Sequence, residues 1–442
     1  MESDCKENGE DSKRWSTLQK VTLMNGCLTN IILFGCYSVL QPFLRDEAVA
    51  KGLSLTSAGA IFGCYEVAKI SCTLFIGTRL SLIGARWCYW VGLVVLGSSS
   101  FLFGFLGEIK SGQWFLGLGI AVRVMESVGA AMTITANYAI ITREFRKETA
   151  TAYGFLEMSF GLGIVFGPLA GGGLYQLGGF GWPFFVFGPA AVILGVWAFF
   201  TLPDDDKNEK SSQHGQVLQI LKKPVAVLEY MAVFIMYFGI GSLSPTLGRH
   251  LENVDSSLEG NHVMIGLAFS LIGLTYTFTV PLFGLVSNKL NRNKVQVIVG
   301  LFVCTLGYTL VGPWIPVTSL YPNGEGASWS IYLGSCTLGI GSACTNVAVM
   351  ADRLLDATAS GLPDDMTTYG SLSATFEASG GIGDFTGPIF GGSVLDNYPF
   401  STLSGVLTGL CLGDVSVLLM YLTIALAVCG KKSGYSEDEK IK

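Results

Sequence analysis

The sequence predicts an all-α membrane protein, with twelve transmembrane helices in two pseudo-symmetric six-helix bundles. Three observations predict it. Only 14% of the 442 residues are charged, and mean hydropathy is +0.51; soluble domains carry about a quarter charged residues. Nearly uncharged stretches of about twenty residues, long enough to cross a hydrocarbon core, recur along the chain. A glycine–proline pattern in the first half returns in the second with the same spacing, as duplicated halves would show.

A polar N-terminal tail, 1–20, precedes the first bundle, 21–202, whose spans lie near 21–44, 54–78, 87–107, 112–141, 149–176 and 181–202. The longest polar segment, 203–224, contains PDDDKNEKSSQHGQ and reads as a linker between halves. The second bundle, 225–429, has spans near 225–248, 262–286, 295–316, 328–352, 366–395 and 400–429, followed by a tail, 430–442. An even number of spans puts both ends on one side. The first dozen residues and the stretch after Gly434 hold many of the acids and read as disordered.

Orientation follows from Lys and Arg, which concentrate in cytosolic loops. With the N-terminus inside, only Arg45, Lys51, Lys110 and Arg249 of the 27 fall outside, and Lys69 and Arg123 lie within spans. Both termini are therefore expected in the cytosol. The opening residues lack the pattern of a secretory signal, so the first span is expected to direct its own insertion. The 11 cysteines are odd in number and sit almost entirely in or beside spans, as small core residues rather than a disulfide framework. No Asn-x-Ser/Thr sequon occurs.

Enzyme chemistry finds little support. The three histidines, His214, His250 and His262, all lie in or beside loops, which disfavours a histidine metal site or triad. No Gly-x4-Gly-Lys-Ser/Thr phosphate loop is present, which disfavours ATP-driven pumping. No cofactor and no nucleic acid is called for. The expected surroundings are a lipid bilayer, and a monomer is expected.

The repeat locates the working parts. After Gly154 in span five, Gly163, Gly167–Pro168 and Gly171–Gly172 are matched, 220 residues on, by Gly383, Gly387–Pro388 and Gly391–Gly392. Glu157 and Glu377 stand in the same relation. Glycines four apart share a helix face and let a neighbour approach closely, while proline removes a backbone donor and bends the span. Close packing alone accounts for the glycines; repeated halves around a midplane site are also how many carriers alternate access. A second pair of elements lies in the turns after spans two and eight. Gly77, Gly84 and Arg86 mark the first, and Gly284, Asn288, Lys289 and Arg292 the second.

Charges at membrane depth cost about 2.5–3.5 kcal/mol on insertion scales and need partners or a watery cavity. The spans hold Glu66, Glu126, Glu157, Glu377, Asp384 and Asp414 against Lys69 and Arg123. This acidic excess favours cations, either organic amines or protons. Lys69 follows Glu66 by three residues and Arg123 precedes Glu126 by three, so each pair shares a helix face and is either self-neutralising scaffold or part of a pathway. Glu157 has no basic residue within a turn. It reads as an acid that loads and releases a proton, or as one held protonated against a neighbouring helix. Asn30 and Tyr37 in span one are candidate substrate contacts, since tyrosine faces hold ammonium groups. Tyr230, Tyr237 and Asn346 are further candidates.

These motifs bring a family into view. Gly77–Arg86 resembles the signature after helix two of the major facilitator superfamily, and Gly284–Arg292 its echo after helix eight. Arg123-Val-Met-Glu126 resembles the helix-four signature. The span-five pattern from Gly154 to Gly172 resembles the signature of that superfamily's proton-linked exporters. CYSVLQPF at 36–43, AGAIFGCYE at 58–66, RVMESVGAAMT at 123–133 and GLGIVFGPLAGGGLYQ at 161–176 look like the vesicular amine transporter branch, its polyamine carriers above all. Ser81 and Asn288 stand where the loop signatures usually carry Asp, and Glu126–Ser127 where Gln and Gly are usual. The loop between the first two spans is short, unlike the long lumenal loop of the monoamine members.

The resemblance implies the major facilitator fold and exchange of cytosolic amine for lumenal protons, driven by a proton gradient. It implies that Arg123 holds Glu126 and tunes its proton affinity. The expectation is a proton-coupled antiporter of organic cations, polyamines foremost, in a vesicle membrane. A multidrug–proton exporter of the plasma membrane is the nearest alternative, and a non-transporting scaffold or receptor that kept the fold is one of another class.

Overall fold

The computed structural model describes residues 15–145, 149–203, 224–290, 292–314, 326–360 and 366–438. Most of the expected linker lies outside the described residues, as do the side chains of Ser81 and Asn288. Among the described residues there are fourteen α-helices and no strand. The first half holds α1 Thr17–Ser38, α2 Leu44–Ala50, α3 Leu55–Ile83, α4 Ala85–Gly104, α5 Gly112–Glu144, α6 Thr149–Gly178 and α7 Gly181–Thr201. The second holds α8 Pro224–Leu243, α9 Leu247–Val254, α10 His262–Leu290, α11 Asn293–Val311, α12 Ser328–Ala359, α13 Met366–Asn397 and α14 Phe400–Asp438.

Eleven of the twelve long helices are apolar and long enough to cross a membrane. The other, α13, has the length, about 48 Å for its 32 residues, but carries Glu377, Asp384 and Asp396 among many Gly, Ser and Thr. Its polarity is tolerable because it is flanked by α8 and α3.

Two expected spans end earlier than their hydropathy suggests. The first stops at Ser38 rather than 44, and the seventh at Leu243 rather than 248. Pro42 and Pro245 follow, and neither can continue a helix. Each break is followed by a short helix, α2 or α9. The tail after Gly434, expected to be disordered, is instead helical as far as Asp438. Extending an existing helix adds a hydrogen bond per residue without a new nucleus.

The packing repeats itself between halves. Within the first, α1 packs on α6 and α7, α4 on α5 and α7, and α3 on α5. Within the second, α8 packs on α13 and α14, α11 on α12 and α14, and α10 on α12. The halves meet along two equivalent seams, α3 with α13 and α10 with α6. The glycine ladder sets these distances. Gly163, Gly167 and Gly171 face the α1 backbone at Ile31, Gly35 and Val39, while Gly383, Gly387 and Gly391 face α8 at Phe234, Phe238 and Ser242. Gly172 turns the other way to meet His262 of α10, and Gly392 meets Leu55 of α3. One row of glycines therefore builds each half, and its last member touches the opposite half.

Among the described residues, the seams close at one end only. At the end away from the chain termini, Arg45 of α2 pairs with Glu252 of α9 at 2.7 Å, and His262 Nδ1 lies 3.6 Å from Asp46. Asp396 of α13 accepts hydrogen bonds from the α3 amides of Leu55 and Thr56, at 2.9 and 3.0 Å, and from the Thr56 hydroxyl at 2.6 Å. Contact persists to Gly381 against Ile70 on one seam and Gly161 against Thr277 on the other. Beyond that level, a Cβ at Gly77, Gly154 or Gly284 would meet nothing within 4 Å. Among the described residues the halves are sealed at the far end and part towards the terminal end.

Candidate functional site

The terminal end shows what fastens each half to itself. Gln19 of α1 donates to the Glu144 carbonyl of α5 at 2.8 Å, and Asn25 to Thr201 of α7 at 2.8 Å. Gly84 has φ 98°, a left-handed turn joining α3 to α4 that suits glycine. Arg86, just after it, donates to the Phe199 carbonyl and lies over the Phe199 ring at 5.3 Å. Lys289 and Arg292 are exposed.

The second half uses ion pairs. Arg353 of α12, 2% exposed, reaches Glu229 of α8 at 2.5 Å, Asp352 at 2.6 Å and Asp356 at 3.0 Å. Lys294 of α11 joins Asp352 at 2.7 Å. Glu229 lies within the span expected at 225–248 and is an intramembrane acid beyond the six expected from the sequence. It is fully buried, and its charge is met by an Arg expected to lie in a loop. α12 runs past that boundary and carries Arg353 back against α8.

The remaining charges gather where the seams part. Arg123 and Glu126 of α5 are buried and paired at 2.6 Å. The guanidinium lies 4.4 Å from the Tyr65 ring centre and 5.8 Å from that of Tyr37. Those two rings are 5.0 Å apart. Lys69 Nζ also approaches both, at 5.9 and 6.0 Å, while bonding Glu66 Oε1 and Oε2 at 2.8 and 2.6 Å. Two tyrosine rings thus lie near two cations, each with its own carboxylate. Glu377 and Asp384 of α13 lie within electrostatic reach of Lys69 and Glu66.

Glu157 extends the constellation to the second seam. Its Oε1 accepts from Tyr138 Oη of α5 at 2.9 Å. Glu377, its counterpart 220 residues on, is within electrostatic reach, as are Tyr237 of α8 and Tyr276 of α10. Both carboxyls are solvent-accessible at mid-helix. With side chains of the opposite half around them, they face the space between the halves rather than lipid. Asn346 of α12 donates to Tyr276 at 3.4 Å.

The structure brings together Tyr37, Glu66, Glu157, Glu377 and Asp384, with Arg123 and Glu126 beside the tyrosine pair. Asn30 is not among them. It is fully buried, donates to the Leu156 carbonyl at 3.0 Å and accepts from Asn137 at 3.0 Å, fastening α1 to α6 and α5. Tyr230 is buried close to Glu229 and Arg353. Asp414 is buried on α14, one turn from Cys411. Sequence reasoning missed Tyr65, Tyr138 and Tyr276. Tyr65 was legible, because it precedes Lys69 by four residues and shares its helix face. Tyr138 and Tyr276 reach Glu157 from other helices and leave no local mark.

Five carboxyls against two cations, walled by tyrosines and open towards one end, make a site that attracts cations. The arrangement offers no reacting constellation, and among the described residues no cluster of metal-ligating side chains occurs.

The comparisons agree with this geometry. The profile described as Major Facilitator Superfamily matches residues 26–362. The mouse MFS-type transporter SLC18B1 is 31% identical over 93% of this chain and 88% of its own length. The human chromaffin granule amine transporter is 23% identical over 90% of this chain and 69% of its own. Among solved structures, the nucleoside transporter NupG superposes with a TM-score of 0.69 at 13% identity, covering 92% of this chain and 99% of that one. A bacterial homologue of the human lysosomal transporter Spinster, inward-facing and unoccupied, superposes with 0.64 at 14% identity, over 94% and 96%; these two likenesses show the fold alone. The chain belongs to the Major Facilitator Superfamily and is a secondary transporter of that type, related to the vesicular amine transporters, not an enzyme.

Proposed function

We propose that this transporter exchanges organic cations, polyamines foremost, for protons across an intracellular vesicle membrane. The observation that carries the reading is the acidic, tyrosine-walled space centred on Glu66, Glu157, Glu377 and Asp384 at the level where the halves part. An amine carrying two or more ammonium groups is matched by carboxyls on both seams. The names of the relatives, two of them amine transporters of granules and synaptic vesicles, support the same class.

In this reading the terminal end faces the cytosol, which the Lys and Arg distribution supports. A cytosolic amine enters the splayed end and is held by carboxylates and tyrosine faces. The halves then rock about the seams, opening the far end and closing the terminal one. Protons arriving from an acidic lumen neutralise the carboxyls, Glu157 first among them, and the amine leaves. Coupling needs only that the two ligands prefer opposite states.

Equilibrium binding tests the cation class without requiring transport. Labelled spermidine should bind the purified full-length protein, and unlabelled spermine and putrescine should compete, while nucleosides and carboxylates should not. Binding of anions or nucleosides in preference to amines would overturn the reading.

A further inference from the structure

The Lys69–Glu66 pair differs in kind from the ion pairs that join helices. Arg353–Glu229, Lys294–Asp352 and Arg45–Glu252 each join different helices, so they fasten the fold. Lys69 and Glu66 lie three residues apart on α3, and their bond ties that helix to itself. Arg123–Glu126 is also local, but its guanidinium is fully buried against Tyr65 and has nowhere to go. Lys69 does: its side chain keeps 18% of its surface while Glu66 keeps 2%. A fixed carboxylate therefore holds the tip of a flexible four-carbon stem.

The surroundings of Nζ are those of a primary alkylammonium site. Two carboxylate oxygens lie at 2.6 and 2.8 Å, two tyrosine faces at 5.9 and 6.0 Å, and the Glu377 and Asp384 carboxyls stand within electrostatic reach. The cradle also lies on the seam: a Cβ at Gly381 of α13 would come 3.7 Å from Glu66 Oε2 and closer still to Ile70. With nothing cationic in it, three carboxyls would face one another where the halves must meet, and like charges there oppose closure.

We infer that Lys69 is a tethered stand-in for the transported ammonium, filling the Glu66–Tyr37–Tyr65 cradle when the carrier returns without substrate and yielding that place when an amine binds. The inference rests on the organic-cation reading above. It gives Lys69 two effects of opposite sign. As an internal competitor it weakens amine binding, and as a counter-charge it lets the unloaded halves close. A lysine that served only the scaffold would support both.

The test uses full-length Lys69→Ala and, keeping a long polar side chain without the charge, Lys69→Gln, each checked for cooperative thermal unfolding so that a fold defect in one leaves the other to decide. Spermidine should bind both variants about tenfold more tightly, the size expected when a tethered competitor is removed. In proteoliposomes, spermidine–spermidine exchange should persist while net proton-driven uptake falls. Millimolar n-propylammonium, a free copy of the lysine tip, should restore net uptake in Lys69→Ala and inhibit the wild type. Wild-type binding of spermidine combined with weaker binding and lost exchange in the variants, or no rescue by n-propylammonium, would overturn the inference alone. No amine binding by folded wild type would overturn the organic-cation reading, and this inference with it.

Discussion

Asp396 offers a way to weigh the far-end seal. It sits on α13 in one half and caps α3 in the other, accepting from the Leu55 and Thr56 amides and the Thr56 hydroxyl at 2.6–3.0 Å. Replacing it with alanine removes a cap worth about 1 kcal/mol and a carboxylate at a helix N-terminus worth about 0.5 kcal/mol. Both are present only while the far end is closed. The closed-to-open ratio should therefore fall about tenfold, since 1.4 kcal/mol is a factor of ten. Spin labels at Val49 and Glu259, both exposed beside the seal, would report it as a growing long-distance population in nanodiscs, in a background free of other reactive cysteines. Asp396→Asn, which keeps an acceptor but no charge, should lie between. Ser16→Ala is the control, because Ser16 caps α1 at Gln19 within one half and away from this seal. It should lower stability and leave the distances alone. A distance distribution unchanged in Asp396→Ala, or shifted equally by Ser16→Ala, would refute the idea that this cap holds the halves together.

Two further predictions concern stability. Arg353→Ala strips the counter-charge from buried Glu229 and should cost about 3–5 kcal/mol, read as a lower unfolding temperature. Combining Arg353→Met with Glu229→Gln should recover much of that loss, and strictly additive losses would contradict the pairing. His250 of α9 is buried, bonds the Val311 carbonyl at 2.8 Å and stacks on Phe400 at 3.8 Å. Burial holds its pKa down at about 4. The fold prefers the neutral ring, so this contribution is intact above about pH 6.5 and is lost as pH falls through 6.5 towards 4. By linkage it removes about 1.4 kcal/mol at pH 5.5. His250→Gln should flatten the decline in unfolding temperature between pH 7.5 and 5.5; an unchanged slope would exclude His250 as its source.

Much of the fold was legible because a bilayer restricts what a chain can do: long uncharged runs must be helices, and a matched Gly–Pro pattern must occupy matched places. The ladder from Gly163 to Gly171 and its mate from Gly383 to Gly391 pack on α1 and α8 as their four-residue spacing requires. The family assignment, read from the same residues, agrees with the comparisons. Hydropathy could not locate α2 and α9, because their leucines and valines extend the apolar runs before them, and only Pro42 and Pro245 mark the breaks. Their sequence likeness, Ser-x3-Pro-x-Leu-Arg against Ser-x2-Pro-x-Leu-x-Arg, was a signal available and unused.

The candidate site was legible in its acids and less so in their partners. A carboxyl in a span announces itself by its cost, so Glu66, Glu157, Glu377 and Asp384 stood out. Which cation meets which acid depends on helices far apart in sequence, as with Glu229 and Arg353. Asn30 shows the converse, a polar residue whose spacing placed it in the first span but could not say that both ends of its amide are spent on α5 and α6.

The central claim is that proton and amine exchange through the space around Glu157. Uptake of labelled spermidine into proteoliposomes with an acidic interior tests it most directly, comparing wild type with Glu157→Gln and adding a protonophore. The account predicts accumulation by the wild type, its collapse with the protonophore, and no gradient-driven accumulation by Glu157→Gln despite normal insertion and retained spermidine binding. Accumulation that ignores the protonophore, or undiminished uptake by Glu157→Gln, would contradict it.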